Sequence, residues 1–198
     1  MKAFRLAVLA AGLCVAAQAN IFDYTEQLTG SGSLGGVPFL NDSVTIVLTA
    51  NTLGVTAGFY SSLLVNNGVA TVTVAGIPGV ATFGGISDVF STQSGVVGIS
   101  NGVSLNGFNT DIVDIFNSGL LGYALSTPIG PVGVGSAANP GYVFPTSGGE
   151  FILTSSLNTA TFTAGPASAT PEPASYSALV GVGLLLLLAV RRRRAVRT

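Results

Sequence analysis

Apolar and polar residues alternate with a period of two in several stretches in the middle of the chain. Residues 44–49, 71–74 and 159–164 place Val, Ile, Leu, Phe or Ala on one side and mostly Thr on the other. This period matches β-strands with one buried face, and frequent glycines separate the stretches. The pattern predicts an all-β domain over residues 20–165, built as an antiparallel sandwich or a barrel-like sheet.

Two stretches have the sequence features of a turn and of a helix, and not those of a regular strand. Asn66, Asn67 and Gly68 stand between apolar runs at residues 62–65 and 69–72, which predicts a tight hairpin turn. Residues 109–121 combine acids at their start, apolar residues at helical spacing and a late glycine. This combination predicts one short helix of about two turns, on which Asp111 and Asp114 share a face.

The first 19 residues have the three parts of a secretory signal peptide. Lys2 and Arg5 form a short basic head, an apolar stretch follows, and Ala17-Gln18-Ala19 is a small-x-small cleavage site. We therefore predict that signal peptidase removes residues 1–19. Cys14 is the only cysteine and lies in this segment, so the mature chain is expected to have no thiol and no disulfide.

The C-terminal part divides into a stalk, an apolar run and a basic end. Residues 166–175 are rich in proline, residues 176–190 carry no charge, and residues 191–198 contain five arginines. With Ala174 and Ser175 included, the uncharged run reaches roughly 25 Å as a helix, enough to cross a thin hydrocarbon core. Arg191, Arg192, Arg193 and Arg194 stop this span and mark its cytoplasmic side. We predict a single-pass helix in the cytoplasmic membrane with its N-terminus outside.

Pro171-Glu172-Pro173, followed by the apolar run and the terminal arginines, resembles the PEP-CTERM sorting signal of Gram-negative bacteria. This resemblance implies that exosortase, a polytopic membrane cysteine protease, cleaves near Pro171, Glu172 and Pro173. The domain is then released or transferred to the cell surface or the extracellular space. A plain stalk is the alternative for these prolines, and it predicts the same extended conformation.

The charge distribution excludes several function classes. The sequence between Asn20 and Ala169 contains seven of the eight acidic residues and no Lys, Arg or His. Without cations it cannot neutralise phosphates, so we expect no binding of nucleic acids. Ser-His-Asp, Cys-His and Schiff-base catalysis and zinc or transition-metal sites lack their residues as well. We therefore assign no catalytic set, no metal-ligand residues and no cofactor, and calcium stays open because oxygen ligands abound although the acids are scattered.

Three functions remain compatible with the sequence. The leading one is an exported, non-catalytic surface or extracellular-matrix protein that exosortase sorts into a polysaccharide layer. The second is a carbohydrate- or calcium-binding module that stays membrane-anchored, which predicts clustered acids and exposed aromatic residues such as Tyr60, Tyr123 and Tyr142. The third is a hydrolase that uses carboxylates alone, with Asp111 and Asp114 as the candidate pair. Acids at a helix start are more often dipole partners, which disfavours this third function.

Overall fold

The fold is described here for residues 21–58, 63–102 and 110–168 of a computed structural model. All the described strands belong to one compact unit, Asn20–Ala167. The strands are β1 Ile21–Leu34, β2 Val37–Asn51, β3 Thr56–Ala57, β4 Leu64–Val74, β5 Ala81–Thr82, β6 Ser87–Ser91, β7 Ser94–Asn101, β8 Thr110–Leu121, β9 Ile129–Gly133, β10 Gly135–Ala137, β11 Val143–Thr146, β12 Gly149–Ser156 and β13 Thr161–Pro166. The prediction of an all-β domain is confirmed.

The two longest strands, β1 and β2, form the hairpin on which the sheet is built. Gly35 and Gly36 connect them with φ values of 59° and 80°, the left-handed conformations that a two-residue hairpin turn requires. The predicted alternation is present, because Val44, Ile46 and Leu48 are fully buried while Thr45 and Val47 between them are only partly buried and Thr49 is exposed. Burial of one face therefore fixes the register of this hairpin.

The strands join into one nearly closed, barrel-like antiparallel sheet. The main ladder has the order β10-β8-β7-β6-β4-β2-β1-β12-β11, and β13 pairs with both β1 and β9. Val134, between β9 and β10, exchanges two backbone hydrogen bonds with Phe116 of β8, at 2.8 and 3.3 Å. The segment from Ile129 to Ala137 thus links β13 to β8, so that the two ends of the sheet meet.

The enclosed core combines aliphatic side chains with two groups of aromatic rings. Phe83, Phe144 and Phe151 meet in edge-to-face and tilted pairs with ring centroids 5.9 to 6.5 Å apart. Tyr24 stacks on Phe162 with the ring centroids 6.5 Å apart. These residues belong to one continuous hydrophobic cluster inside the sheet. A single core therefore stabilises the whole domain.

The prediction of a short helix over residues 109–121 is wrong. Thr110–Leu121 is the strand β8, which pairs with β7 on one side and β10 on the other. The helix-like spacing arises at a bulge, where the register shifts and the adjacent residues Ile112 and Val113 are both buried. Among the described residues, the only helical turn is the short 3-10 turn Thr52–Gly54. Hydrogen-bonded pairing along both edges of β8 outweighs the helix signals in its sequence.

The prediction of a hairpin turn at Asn66, Asn67 and Gly68 is also wrong. All three residues lie inside β4, and none of them has the positive φ that such a turn requires. β4 pairs with β2 over Val69–Val74 and with β6 over Leu64–Gly68. β6 and β2 lie on opposite edges of β4, and the Asn-Asn-Gly sequence belongs to the part of the strand that pairs with β6 and not with β2.

The predicted targeting segments lie outside the described residues. These are the signal peptide at residues 1–19, the membrane helix at residues 176–190 and the arginine-rich end at residues 191–198. The described part of the chain contains no helix that is long and apolar enough to cross a membrane.

Candidate functional site

Three aspartates gather on one face of the wall formed by β6, β7 and β8. Asp88 of β6 lies opposite Ser100 of β7, and Ser100 lies opposite Asp111 of β8. Asp114 lies one row further along, opposite Gly98 of β7. Because residues that pair across antiparallel strands point to the same side, Asp88, Asp111 and Asp114 share one face. We call these three residues the carboxylate face.

The bulge in β8 creates this grouping. Asp111 and Asp114 are three residues apart, and in a regular strand they would point to opposite sides of the sheet. The extra residue at Ile112 shifts the alternation by one position, so both aspartates point to the side opposite the buried Val113. The two acids do share a face, as the sequence predicted, but through a bulged strand and not through a helix.

The carboxylate face is poorly hydrated. Asp88 is buried, and it accepts a hydrogen bond of 2.6 Å from the Ser100 hydroxyl. Burial raises the pKa of Asp88, and the bond from Ser100 partly offsets that rise. Burial also raises the pKa of Asp114, whose buried Oδ1 atom has no hydrogen-bond partner among the described residues. The face therefore favours neutral carboxyl groups.

Among these three aspartates, Asp111 has a pKa that is raised into the neutral range. Burial raises its pKa to about 7, and the neighbouring charges of Asp114 and Asp88 contribute to that rise. An aspartate with such a pKa exchanges its proton in the range where many general acids and bases act. The other two acids of the carboxylate face do not lie across a groove from Asp111, since Asp114 comes from the same strand and Asp88 from the same wall.

A fourth acid, Glu26 of β1, lies on the inner face of the sheet. It is fully buried, and neither carboxyl oxygen has a hydrogen-bond partner in the described part of the chain. Burial raises its pKa well above the ordinary value, and the charges of Asp114 and Asp111 add to this effect. The Ile99 backbone acts in the opposite direction without offsetting the burial, and its contact with Glu26 lies outside normal hydrogen-bond geometry.

Sequence reasoning missed Glu26 and Asp88 as members of this acidic group. A signal for Glu26 was present, because Phe22, Tyr24, Glu26 and Leu28 follow the two-residue period of a buried face. No comparable signal existed for Asp88. Every residue of β6 is buried, so its sequence does not show which residues face the core.

The described residues bring together no group of three or more acidic side chains that could hold a metal ion. Of the tyrosines proposed as exposed aromatics, Tyr142 is half exposed and Tyr123 is buried, while Tyr60 lies outside the described residues. A shallow depression of about 420 Å³ lies on the outer surface of β7 and β8. Val96, Phe116 and Leu121 form its apolar lining.

The site residues predicted from the sequence lie outside the described residues. They are Ala17 and Ala19 of the signal peptidase site, Pro171, Glu172 and Pro173 of the sorting motif, and Arg191, Arg192, Arg193 and Arg194 after the predicted span. Their assignment therefore depends on comparison with known proteins and not on geometry.

Comparison with protein families identifies a protein-sorting signal at the C-terminal end of the chain. The signal is the PEP-CTERM protein-sorting motif, whose family model matches residues 169–194. This match confirms the resemblance seen in the Pro-Glu-Pro motif, the apolar run and the arginine cluster. The motif marks an exported, membrane-associated protein that exosortase processes. Neither a curated protein nor a solved structure matches the chain.

Proposed function

We propose that this chain is a non-catalytic surface or extracellular-matrix protein that is exported, held in the membrane by its C-terminal helix and then sorted by exosortase. The observation that carries this proposal is the PEP-CTERM motif at residues 169–194. The signal peptide at residues 1–19 would start export, and residues 176–190 would hold the chain in the cytoplasmic membrane until cleavage. After cleavage the domain reaches the cell surface or an extracellular polysaccharide layer.

Two features support a non-catalytic role. The sequence from Asn20 to Ala169 contains no His, Lys or Cys, which removes most nucleophiles and bases. The available acids are also poorly arranged for hydrolysis, because Asp111 and Asp114 lie on one strand and Asp88 is bonded to Ser100. Hydrolysis of glycosides needs two acids on opposite sides of the scissile bond.

The sorting step is tested by the intact mass of the extracellular protein from the native host, compared with a strain that lacks exosortase. We expect a chain that ends near residues 171–174 only when exosortase is present. Glu172→Gln should reduce the amount of cleaved product, and Glu150→Gln is the matched control because Glu150 is exposed and lies outside the motif. A mass that always includes Arg197 and Thr198 would contradict the proposal.

The alternative function is a carbohydrate- or calcium-binding module that stays membrane-anchored. The observation in its favour is that Asp88 joins Asp111 and Asp114 on the carboxylate face, although the described residues form no group of three acids arranged to hold a metal ion. Calcium binds oxygen ligands from carboxylates, so Ca²⁺ should then raise the Tm far more than NaCl at equal ionic strength. Equal increases in Tm with Ca²⁺ and with NaCl would count against calcium binding.

A further inference from the structure

Glu26 occupies a position that otherwise belongs to the hydrophobic core. It lies between Tyr24 and Leu28 on the inner face of β1, and all three side chains are buried. Its partners across the sheet are Ile46 of β2 and Phe162 of β13, both fully buried. An ionised carboxylate in such surroundings loses most of its hydration, which is costly unless other groups replace it.

Among the described residues, the one group that favours the carboxylate form of Glu26 is the Ile99 backbone, and it does not offset the effect of burial. Neither carboxyl oxygen of Glu26 has a hydrogen-bond partner among the described residues. A compensating salt bridge within the domain is impossible, because the sequence has no Lys, Arg or His between Arg5 and Arg191. The neutral acid needs much less solvation than the carboxylate, so burial strongly favours the protonated form.

The titratable groups around Glu26 oppose its ionisation as well. Asp111 and Asp114 of β8 act on it directly, and Asp88 of β6 belongs to the same wall. The facing residues on β2 and β13, Ile46 and Phe162, cannot titrate. Tyr24, the nearest titratable residue on β1, is itself a buried acid with a raised pKa. Every ionisable neighbour is therefore an acid, and none can stabilise a negative charge.

We propose that Glu26 is a proton-dependent lock on the sheet: the closed barrel forms around the neutral carboxyl group, and ionisation requires the inner face of β1 to open to water. The lock follows from the burial of Glu26 and does not depend on the sorting signal. Because the pKa of Glu26 is raised in the folded state, the folded state binds the proton more tightly than the unfolded chain does. The resulting stability is complete in acid and is lost as the pH rises.

The direct test is infrared spectroscopy of the full chain in detergent micelles. A neutral carboxylic acid has a C=O stretching band that is separate from the amide bands, and we expect this band to persist at about pH 8. Labelling the three glutamates with ¹³C at the side-chain carboxyl should shift the band, which assigns it to a glutamate. Glu150 is exposed, so Glu150→Gln should leave the band unchanged.

Thermal unfolding gives a second, independent measurement. The Tm of the wild type should fall as the pH rises, and it should continue to fall above about pH 8, one unit above the pKa of Asp111, where that residue is mostly ionised. Glu26→Gln keeps the shape of the neutral acid, so it should abolish the infrared band and the fall in Tm above about pH 8. Glu150→Gln should retain both.

The outcomes separate clearly. A band that persists, shifts with the glutamate label and disappears in Glu26→Gln supports the lock. Absence of the band in the wild type at about pH 8, or its survival in Glu26→Gln, overturns it. If Glu26→Gln does not fold, the labelled wild-type spectrum alone decides: a shifted band supports the proposal and no band overturns it.

Discussion

Tyr24 shows how single polar residues are accommodated inside this core. Its hydroxyl donates a hydrogen bond of 2.5 Å to the Leu125 carbonyl and accepts one of 3.2 Å from Nδ2 of Asn66. Leu125 is fully buried and has a φ of 58°, a left-handed conformation that is unfavourable for leucine. The tyrosine therefore connects β1 both to β4 and to a strained residue beyond β8.

Removing this hydroxyl should be costly. Tyr24→Phe leaves the Leu125 carbonyl and the Asn66 amide without their partner in a buried place, so we expect a loss of about 1–3 kcal/mol in the free energy of unfolding. Urea denaturation of the domain measures this loss. Tyr142→Phe is the control, because Tyr142 is half exposed and should change stability little. Equal effects of the two substitutions would contradict the role of the Tyr24 bonds.

Asp111 predicts a pH dependence that is distinct from that of Glu26. Its pKa is raised to about 7 in the folded state, so the protonated folded form is favoured. Stability is then greatest below the ordinary aspartate pKa and decreases between about pH 4 and pH 7. Asp111→Asn should reduce this decrease, as measured by Tm against pH. Asp42→Asn, outside the acidic group, is the control, and an unchanged slope in Asp111→Asn would refute the assignment.

At the scale of elements, β4 depends on a close crossing at Gly68. A Cβ atom there would lie 2.7 Å from Cδ2 of Leu48, 2.9 Å from Cβ of Ala50 and closer still to the Thr49 carbonyl oxygen. Glycine is therefore required by close packing against β2, next to the point where the pairing of β4 with β2 ends. Gly68, which the sequence suggested as a turn residue, is thus needed for the packing of a strand.

Gly68→Ala should destabilise the domain by about 1–3 kcal/mol or more, because the clash involves backbone and cannot be relieved by rotating a side chain. Gly165→Ala in β13 is the matched control, since a Cβ there meets nothing within 4 Å. That control should be neutral or stabilise by roughly 0.4 to 1 kcal/mol, because alanine restricts the unfolded chain. Comparable Tm values for the two variants would show that the crossing is looser than described.

At the scale of the whole molecule, the domain combines a closed sheet with charges of a single sign. The sequence from Asn20 to Ala169 has seven acidic residues and no basic ones. All charge–charge interactions within it are therefore repulsive, and several acids are partly or fully buried. Stability must come from the hydrophobic core and the backbone ladder.

This charge distribution predicts that monovalent salt stabilises the domain. Salt screens repulsion, with a Debye length of about 10 Å at 0.1 M, so the Tm of residues 20–168 at about pH 8 should rise with NaCl. The rise should vanish near pH 3, where the acids are neutral. Choline chloride at the same ionic strength should act alike. A Tm that falls with salt, or that responds to sodium only, would contradict general repulsion.

The sequence predicted strands well and their partners poorly. The two-residue period in residues 44–49 and 159–164 survives because it reflects burial of one face, which any sheet requires. Residues 66–68 and 109–121 were misread because their local signals compete with pairing to distant strands. Those pairings form between residues that are far apart in the chain, and no short window of sequence contains them.

By itself, the sequence determined the fold class, the uniform negative charge and the C-terminal sorting signal, because each depends on composition, period or a contiguous motif. Only the tertiary structure decided that the sheet closes, that a bulge brings Asp111 and Asp114 to one face beside Asp88, and that Glu26 is buried without a partner. The physical reason is that register and closure are set by contacts between distant strands, and these contacts decide which side chains water can reach.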